Sequence, residues 1–363
     1  MNLEQLRTFR EVAELGGFSR AASARFLAQS TVSMQIAGLE KELGVRLFER
    51  LGWRVVPTEA GRDLMGYATR ILSAVEEARR AMEEHRGLMA GRLLVGASHT
   101  VGNYVVPRVF GKFNALHPGV RLVLEIAPTP RVAERVADGS LDLGLVEAPV
   151  SSPHLLVRPF LADELVLIVP RSHPWAGRED VQPRDLAGER FIAREPSSVS
   201  RHIVEARLRA LGVELSPALE LGTPEAVREA VSAGLGVGIV SHHVAALAVI
   251  AGAVAEVGVR GLRAERPLNA VLHAQKHIGR ALAAFLSLLG VPPDADGRWP
   301  ALDEQRGEGG DADHHGDVAV DVEEGQAQAR EVVGLDQGVF VGEQPCRRQQ
   351  AQPVRPGQPQ AHP

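Results

Sequence analysis

The chain has 363 residues and one cysteine, Cys346. A lone thiol allows neither an intramolecular disulfide nor a cysteine-based metal site. No apolar run reaches membrane-spanning length, and Met1 leads straight into an amphipathic helix rather than a signal peptide. These absences predict a cytoplasmic protein without membrane contact. Also missing is an excess of positive charge, since the formal net charge is −5. The deficit is local. From Pro292 onward stand 6 basic and 14 acidic residues, against 34 and 31 before it, and residues 1–62 hold 9 and 7. Affinity for a polyanion must then come from a few placed arginines and from dimerisation, not from a broad basic field. The length predicts two or three domains with ample material for cores.

What is present is clearest at residues 21–50. Val32, Ile36, Leu39 and Leu43 recur at helical spacing and predict one buried stripe. The other side of that helix offers Ser30, Thr31, Met34, Gln35 and Gly38, small or polar and short enough for entry into a major groove. Ahead of it, Ala21, Ala22 and Ala24 form a small-residue helix that packs tightly beneath. Leu3, Leu6, Phe9, Val12 and Ala13 face the core from a first helix, Ser19 is placed to cap the second, and Gly44 ends the third. Residues 49–57 predict a two-stranded wing, with Arg50 and Arg54 as phosphate or minor-groove contacts and Trp53 at the tip.

Thr58-Glu59 then opens a long helix. Leu64, Ala68, Ile71, Val75, Ala78, Met82, His85 and Met89 alternate spacings of four and three, a heptad seam that predicts helix pairing. Its span is roughly 45 Å, enough to hold two DNA-binding heads apart. The alternative is a helix packed on its own domain.

From Arg92 strands and helices alternate. RLLVGAS, VRLVLEI and LDLGLVE are strands separated by helices at 101–116 and 131–138, a parallel-sheet half-domain. FIAR, LELG and VGIVS, with helices at 199–211, 224–233 and from 242, make a second. ADELVLIVP (162–170) leaves the first half, RPLNAVLHA (266–274) returns to it, and a helix at 276–289 completes it. Two halves crossed twice by the chain predict a hinged pair with a cleft between them. Residues 292–363, rich in Gly, Gln, Pro and acid without a lasting apolar period, are expected to be disordered. His314-His315 has no ligand partners at useful spacing, so no metal and no cofactor are predicted.

Ligands of such pairs bind at strand C-terminal ends and helix N-termini that face the cleft. Ser98-His99-Thr100 and Thr129-Pro130 qualify in the first half. Ser197-Ser198-Val199-Ser200-Arg201 and Thr223-Pro224-Glu225 qualify in the second. Each joins hydroxyls to the positive end of a helix dipole, and Arg201 adds a fork for a carboxylate, phosphate or sulfur oxyanion. The competing reading is plain capping, strongest for Thr223 with Glu225. His99 either meets the ligand or bonds the local backbone, and Glu147 closes the cleft or selects a ligand with a donor group. Gly234–Gly238 resembles a phosphate loop only superficially, because it follows a helix and precedes a strand.

Residues 1–62 resemble the winged helix-turn-helix of LysR-type transcriptional regulators. The pattern runs through Leu3-Glu4-Gln5-Leu6, Phe9, Gly17-Phe18-Ser19-Arg20-Ala21-Ala22, Gln29-Ser30, Val32-Ser33, Leu39-Glu40, Leu43-Gly44, Leu47-Phe48-Glu49-Arg50 and Thr58-Glu59-Ala60-Gly61. It adds Gln29 and Ser33 to the DNA-facing set. Two positions depart from it: Ala28 replaces the usual serine before the recognition helix, leaving its cap to Ser30, and Met34 replaces a polar or basic residue. The segments GASHTVGNYVVP, DLGLVEAPV, REPSSVSR and GLGVGIVS resemble the branch that regulates carbon-fixation and sulfur-assimilation genes.

The resemblance implies an α/β protein with an N-terminal winged helix-turn-helix (1–58) and a long dimerisation helix (59–89). An effector-binding domain (90–291) follows, made of two Rossmann-like subdomains of periplasmic-binding-protein type, 92–161 with 268–290 and 162–267. The implied function is sequence-specific transcription regulation governed by a small anionic metabolite. Double-stranded DNA, the effector, further copies of the chain as homodimer or homotetramer, and RNA polymerase are its partners. A solute-binding module without DNA function is the alternative. An enzyme is not expected, because Ser98, His99, Glu147 and Ser198 form no catalytic signature.

Overall fold

The computed structural model describes residues 1–51, 54–85 and 91–299. The head contains α1 (Leu3–Leu15), α2 (Phe18–Arg25), α3 (Gln29–Leu43) and an antiparallel pair, β1 (Phe48–Leu51) with β2 (Arg54–Pro57). A capping box opens α1: the Gln5 N–H donates to the Asn2 side chain and the Asn2 N–H to that of Gln5, both at 2.9 Å. Gly44 closes α3 in the left-handed region at φ 71°, as its sequence position predicts. Ser19 does not cap α2. The helix begins two residues earlier, with Gly17 at the N-cap position, and Phe18 sets its ring edge-on to Phe48 at 5.9 Å. Ala28 gives α3 no side-chain cap, and Ser30 lies inside the helix.

Leu6, Phe9, Val12, Ala21, Ala22, Val32, Ile36 and Leu39 form the head's core. Leu3 and Leu43, expected there, are exposed. Both stand at the rim where the start of α1 meets the end of α3 and the Met1 amine pairs with Glu42. Ala24 is also exposed, about 200° around a short helix from Ala22.

A single helix, α4 (Glu59–His85), follows. Ala68 and Leu72 are buried on the head's core, with Leu64, Met65 and Ile71 packed beside them. Arg7 of α1 ties to Glu76 at 3.3 Å. The first half of the predicted seam is therefore used within the chain itself, while Ala78 and Met82 remain exposed. The His85 side chain and Met89 lie outside the described residues.

The remaining elements are β3 (Gly91–Ala97), α5 (Val106–Leu116), β4 (Val120–Ile126), α6 (Thr129–Ala137), β5 (Leu143–Val146) and β6 (Leu155–Pro170). Next come β7 (Phe191–Arg194), α7 (Val199–Ala210), β8 (Leu219–Leu221), α8 (Pro224–Ser232), β9 (Val237–Ser241), α9 (His242–Ile250), β10 (Val254–Val257), β11 (Glu265–His273) and α10 (Arg280–Leu288). The strand order is β4-β3-β5-β11-β6-β9-β7-β8, with β10 on β6. Within each half β4/β3/β5 and β9/β7/β8 are parallel, but the crossing strands β6 and β11 are antiparallel to each other. The parallel strands expected within each half are present, and the crossing strands make the sheet as a whole mixed. β6 pairs with β11 through Leu155–Glu164 and then with β9 and β10, so one strand serves both halves.

Helices cover both faces of each half, which is why β5 and β9 are buried at every residue. Phe113, Leu145 and Phe285 pack under α5 and α10, and Val132, Val136 and Val271 under α6. Phe191, Val204 and Leu208 pack under α7, and Val227, Val231 and Val244 under α8 and α9. Gly236 belongs to this packing, since a Cβ there would run into the Arg190 carbonyl. The glycine run 234–238 is a turn, not a phosphate cradle.

α10 begins four residues later than predicted. Lys276 is drawn to Asp142, Nζ to Oδ1 at 2.9 Å, and Gly279 takes the N-cap position. The expected boundary at residue 292 also shifts. Trp299 is 2% exposed within the first half's core, and its Nε1–H donates to the Val291 carbonyl at 2.9 Å. Residues 300–363, with His314, His315 and Cys346, lie outside the described residues.

Candidate functional site

The face of α3 away from the core carries exposed Gln29 and Ser30, half-buried Thr31, Ser33 and Gln35, and Met34 at 67% exposure. Arg54 is exposed on β2. The Arg50 side chain and Trp53 lie outside the described residues. Gln35 does not stand alone: Thr8, fully buried on α1, donates its hydroxyl proton to Gln35 Oε1. Arg25 Nη1 donates to the Thr8 oxygen at 3.3 Å. Amphipathic periodicity gave no sign of this polar run, because it treats positions 8 and 25 as ordinary helical faces.

At the cleft, Ser98 directly follows β3. Its hydroxyl is buried and has no hydrogen-bond partner among the described residues, an arrangement that costs about 1–3 kcal/mol unless something else fills it. The parallel register of β3 and β5 sets Ala97 beside Leu145, so Ser98 and Glu147 each lie one residue beyond the ends of neighbouring strands. Thr100, two residues on, is buried, and so is Thr129, the first residue of α6. Instead of continuing directly into an α-helix, residues Val101–Val105 make one π-helical turn. From that turn Asn103 Nδ2 donates to Glu225 Oε1 and Arg228 Nη1 to the Tyr104 hydroxyl, both at 3.0 Å and both from one half to the other.

Across the cleft the predicted residues separate. Ser198 accepts from the Arg201 N–H and Thr223 from the Ala226 N–H, so both cap helices. Ser197 is exposed. Arg201 is spent within its own half: it donates to Glu205 at 2.6 Å, Glu220 at 2.7 Å and the Arg194 carbonyl at 2.8 Å. It is no cleft cation, because an i,i+4 carboxylate and a strand carboxylate take its fork. His99 is half-buried. Burial would raise the Glu195 carboxyl, yet the Arg194 fork at 2.7 and 2.9 Å and nearby His99 hold it below its ordinary range.

The cation that does meet the cleft residues is Arg266, which the sequence reading missed. Arg266 stands opposite Asp163 in the β11–β6 pairing. It is buried, with Nε on Asp163 at 2.8 Å, Nη1 on the Ser200 hydroxyl at 2.9 Å and Nη2 3.5 Å from Glu147. Ser241 donates to Asp163 at 2.6 Å, and His243 Nε2 lies 3.9 Å away. Burial pushes the His243 pKa down, whereas the hydrogen bond to Glu256 pushes that of His242 up. Among the described residues no group of three His, Cys, Asp or Glu side chains is arranged to hold a metal. No described helix is long and apolar enough to cross a membrane.

A winged helix-turn-helix joined to a two-half cleft domain defines a DNA-binding regulator with an effector-binding domain. Residues 3–62 match the bacterial regulatory helix-turn-helix protein, lysR family, and residues 86–290 match the LysR substrate binding domain. The chain belongs to the LysR family of transcriptional regulators. It is 35% identical over 292 residues to a "Probable RuBisCO transcriptional regulator" of Cyanophora paradoxa, spanning 78% of this chain and 90% of that protein. Full-length OxyR from Pseudomonas aeruginosa shares the fold at TM-score 0.65 and 22% identity, over 80% of this chain and 95% of that one. The Synechocystis CcmR regulatory domain in complex with 2-PG matches at TM-score 0.51 and 28% identity, over 55% of this chain and 95% of that one.

Proposed function

We propose that this regulator controls carbon-fixation genes in response to a small anionic metabolite of the kind represented by 2-PG. Ser98, Thr100, Thr129, Ser200 and Arg266 form its receptor, with His99 and Glu147 at the margin. The observation that carries this reading is the Ser98 hydroxyl, buried without a partner among the described residues, just past the strand that neighbours the one leading to Glu147, which in turn meets Arg266. Gln29, Ser30, Thr31, Ser33, Met34, Gln35, Arg50 and Arg54 face the operator. Two heads read successive major grooves of an inverted repeat in a homodimer or homotetramer, with RNA polymerase as a further partner. The working divisions are 1–58, 59–89 and 90–291, with halves 92–161 plus 268–290 and 162–267. The protein acts in the cytoplasm, and as a transcription regulator it binds its effector without turning it over.

The test is a genome-wide pull-down of bound DNA, followed by footprints of the recovered operator with and without saturating 2-PG. Half-sites beside carbon-fixation genes with a footprint changed by 2-PG are expected. Targets elsewhere refute the pathway, and identical footprints refute 2-PG as the effector.

A further inference from the structure

Beneath the recognition helix lies a directed chain of hydrogen bonds. Arg25 pairs with Glu4 at 2.6 Å and Glu11 at 3.5 Å, and its remaining reach ends on Thr8 at 3.3 Å. A guanidinium can only donate, so the Thr8 oxygen accepts there. Thr8 has no exposed surface, and a buried hydroxyl proton requires an acceptor. Among the described residues that acceptor is Gln35 Oε1. The order Arg25, Thr8, Gln35 therefore fixes which end of the Gln35 amide turns inward. Its oxygen is held against α1, and its NH2, with two donors and no lone pair to offer, is the end left for the half-exposed face of α3.

The consequence concerns base choice. A glutamine free at both amide atoms reads adenine bidentately, donating to N7 and accepting from N6. One whose oxygen faces inward can only donate: it meets two acceptors on guanine, N7 and O6, or O4 of thymine, whereas on adenine it keeps N7 but turns a second donor toward the N6 amino group. We propose that Thr8 is a positioning residue that makes Gln35 a pure donor, so that the operator base beneath Gln35 is a keto base and not adenine. This rests on the reading of Gln35 as a base-facing residue.

The experiment is binding-site selection from randomised DNA with the full chain and its Thr8→Val, Thr8→Ser and Gln35→Ala variants. Wild type should select guanine or thymine at one position per half-site, and Gln35→Ala should relax that position alone. Thr8→Val, of the same shape without the proton, should raise the adenine-to-keto ratio there by about ten-fold, within the range of a bidentate contact. Thr8→Ser should restore the wild-type choice. If Gln35→Ala alters no position, the base-reading premise fails. If it relaxes a position at which Thr8→Val keeps the wild-type base, the premise stands and the positioning role is overturned. Should Thr8→Val fail to fold, wild-type protein still decides. Adenine placed at the Gln35-sensitive position should bind about ten-fold more weakly than the selected base, and equal binding overturns the proposal.

Discussion

Replacing Trp299 with alanine should cost the effector-binding domain about 3–5 kcal/mol, the range for deleting a buried aromatic side chain. The ring sits in the same core as Phe113 and Phe285, although it stands beyond residue 290, where the LysR match ends. Three contributions are lost together. The first is the packing itself. The second is the Nε1–H bond to the Val291 carbonyl at 2.9 Å, worth about 1 kcal/mol. The third is the face presented to Arg158, whose guanidinium carbon lies 5.1 Å from the ring centroid, worth about 1–2 kcal/mol when desolvated. Burial already pushes the Arg158 pKa down, so a cation left there without the ring adds to the cost. Trp299→Phe keeps most of the packing and loses the N–H donor, so its expected loss is about 1–2 kcal/mol. For a domain of this size each kcal/mol lowers the melting temperature by about 2–4 °C. Differential scanning calorimetry of the full chain should show the effector-domain transition roughly 6–20 °C lower for Trp299→Ala. A shift below about 2 °C would mean that the ring is not part of the core, and would sink the argument.

Ser98→Ala should leave stability unchanged or raise it by about 1 kcal/mol, because the hydroxyl has nothing to lose, while calorimetric titration shows 2-PG binding at least about ten-fold weaker. A clear loss of stability would make Ser98 structural instead. Arg266→Met strands Asp163, which has no exposed side-chain surface, and should cost about 3–5 kcal/mol in urea unfolding. Adding Asp163→Leu should recover most of that, and failure to recover would show that the pair is not one unit. The adjacent histidines should act in opposite pH ranges. His242 has a raised pKa from its Glu256 hydrogen bond, so its contribution is present below about pH 6.5 and lost as pH climbs through the raised value. His243 has a pKa lowered by burial, so its contribution is present above about pH 6.5 and lost as pH falls through the lowered value. Melting curves across pH should lose the alkaline decline in Glu256→Gln and the acid decline in His243→Gln; unchanged profiles would refute both assignments.

Features set by local periodicity were legible in the sequence. The buried positions Val32, Ile36 and Leu39, the stop at Gly44 and the alternation of strands and helices depend on neighbours within a turn or two. Features set by distant pairing were not. Arg266 and Asp163 read as unremarkable members of two strands, and only the antiparallel β6–β11 pairing makes them face each other across 103 residues. Arg201 failed for the converse reason: its position at a helix start is local and correct, but Glu220 reaches it from β8. Ser198 and Thr223 met the rule for helix N-termini and turned out to be caps, since capping and ligand binding draw on the same hydroxyl and the same N–H groups. Trp299 was missed because the composition of the residues after it outweighed a single aromatic within them.

The place of Arg266 bears on how a cleft ligand would be felt elsewhere. β6 and β11 are the strands by which the chain passes between the halves, and Arg266 and Asp163 sit on them as partners. From there the guanidinium holds Ser200 of one half at 2.9 Å and approaches Glu147 of the other at 3.5 Å. Its contact with Asp163, at 2.8 Å, is the shorter and the more buried of the two carboxylate contacts. On the proposed reading, an anion entering between the halves competes with Glu147, the weaker partner, and leaves the Asp163 pair standing. Binding energy gained in that exchange is delivered to the strands that join the halves, and it shifts their relative position only as far as the open and closed arrangements bind the anion differently. Asn103–Glu225 and Tyr104–Arg228 oppose that shift at the rim, because each spans the same two halves with a direct hydrogen bond. On the proposed reading, the balance between one exchangeable carboxylate at the crossing strands and two polar contacts between the halves sets how much ligand is needed to shift them.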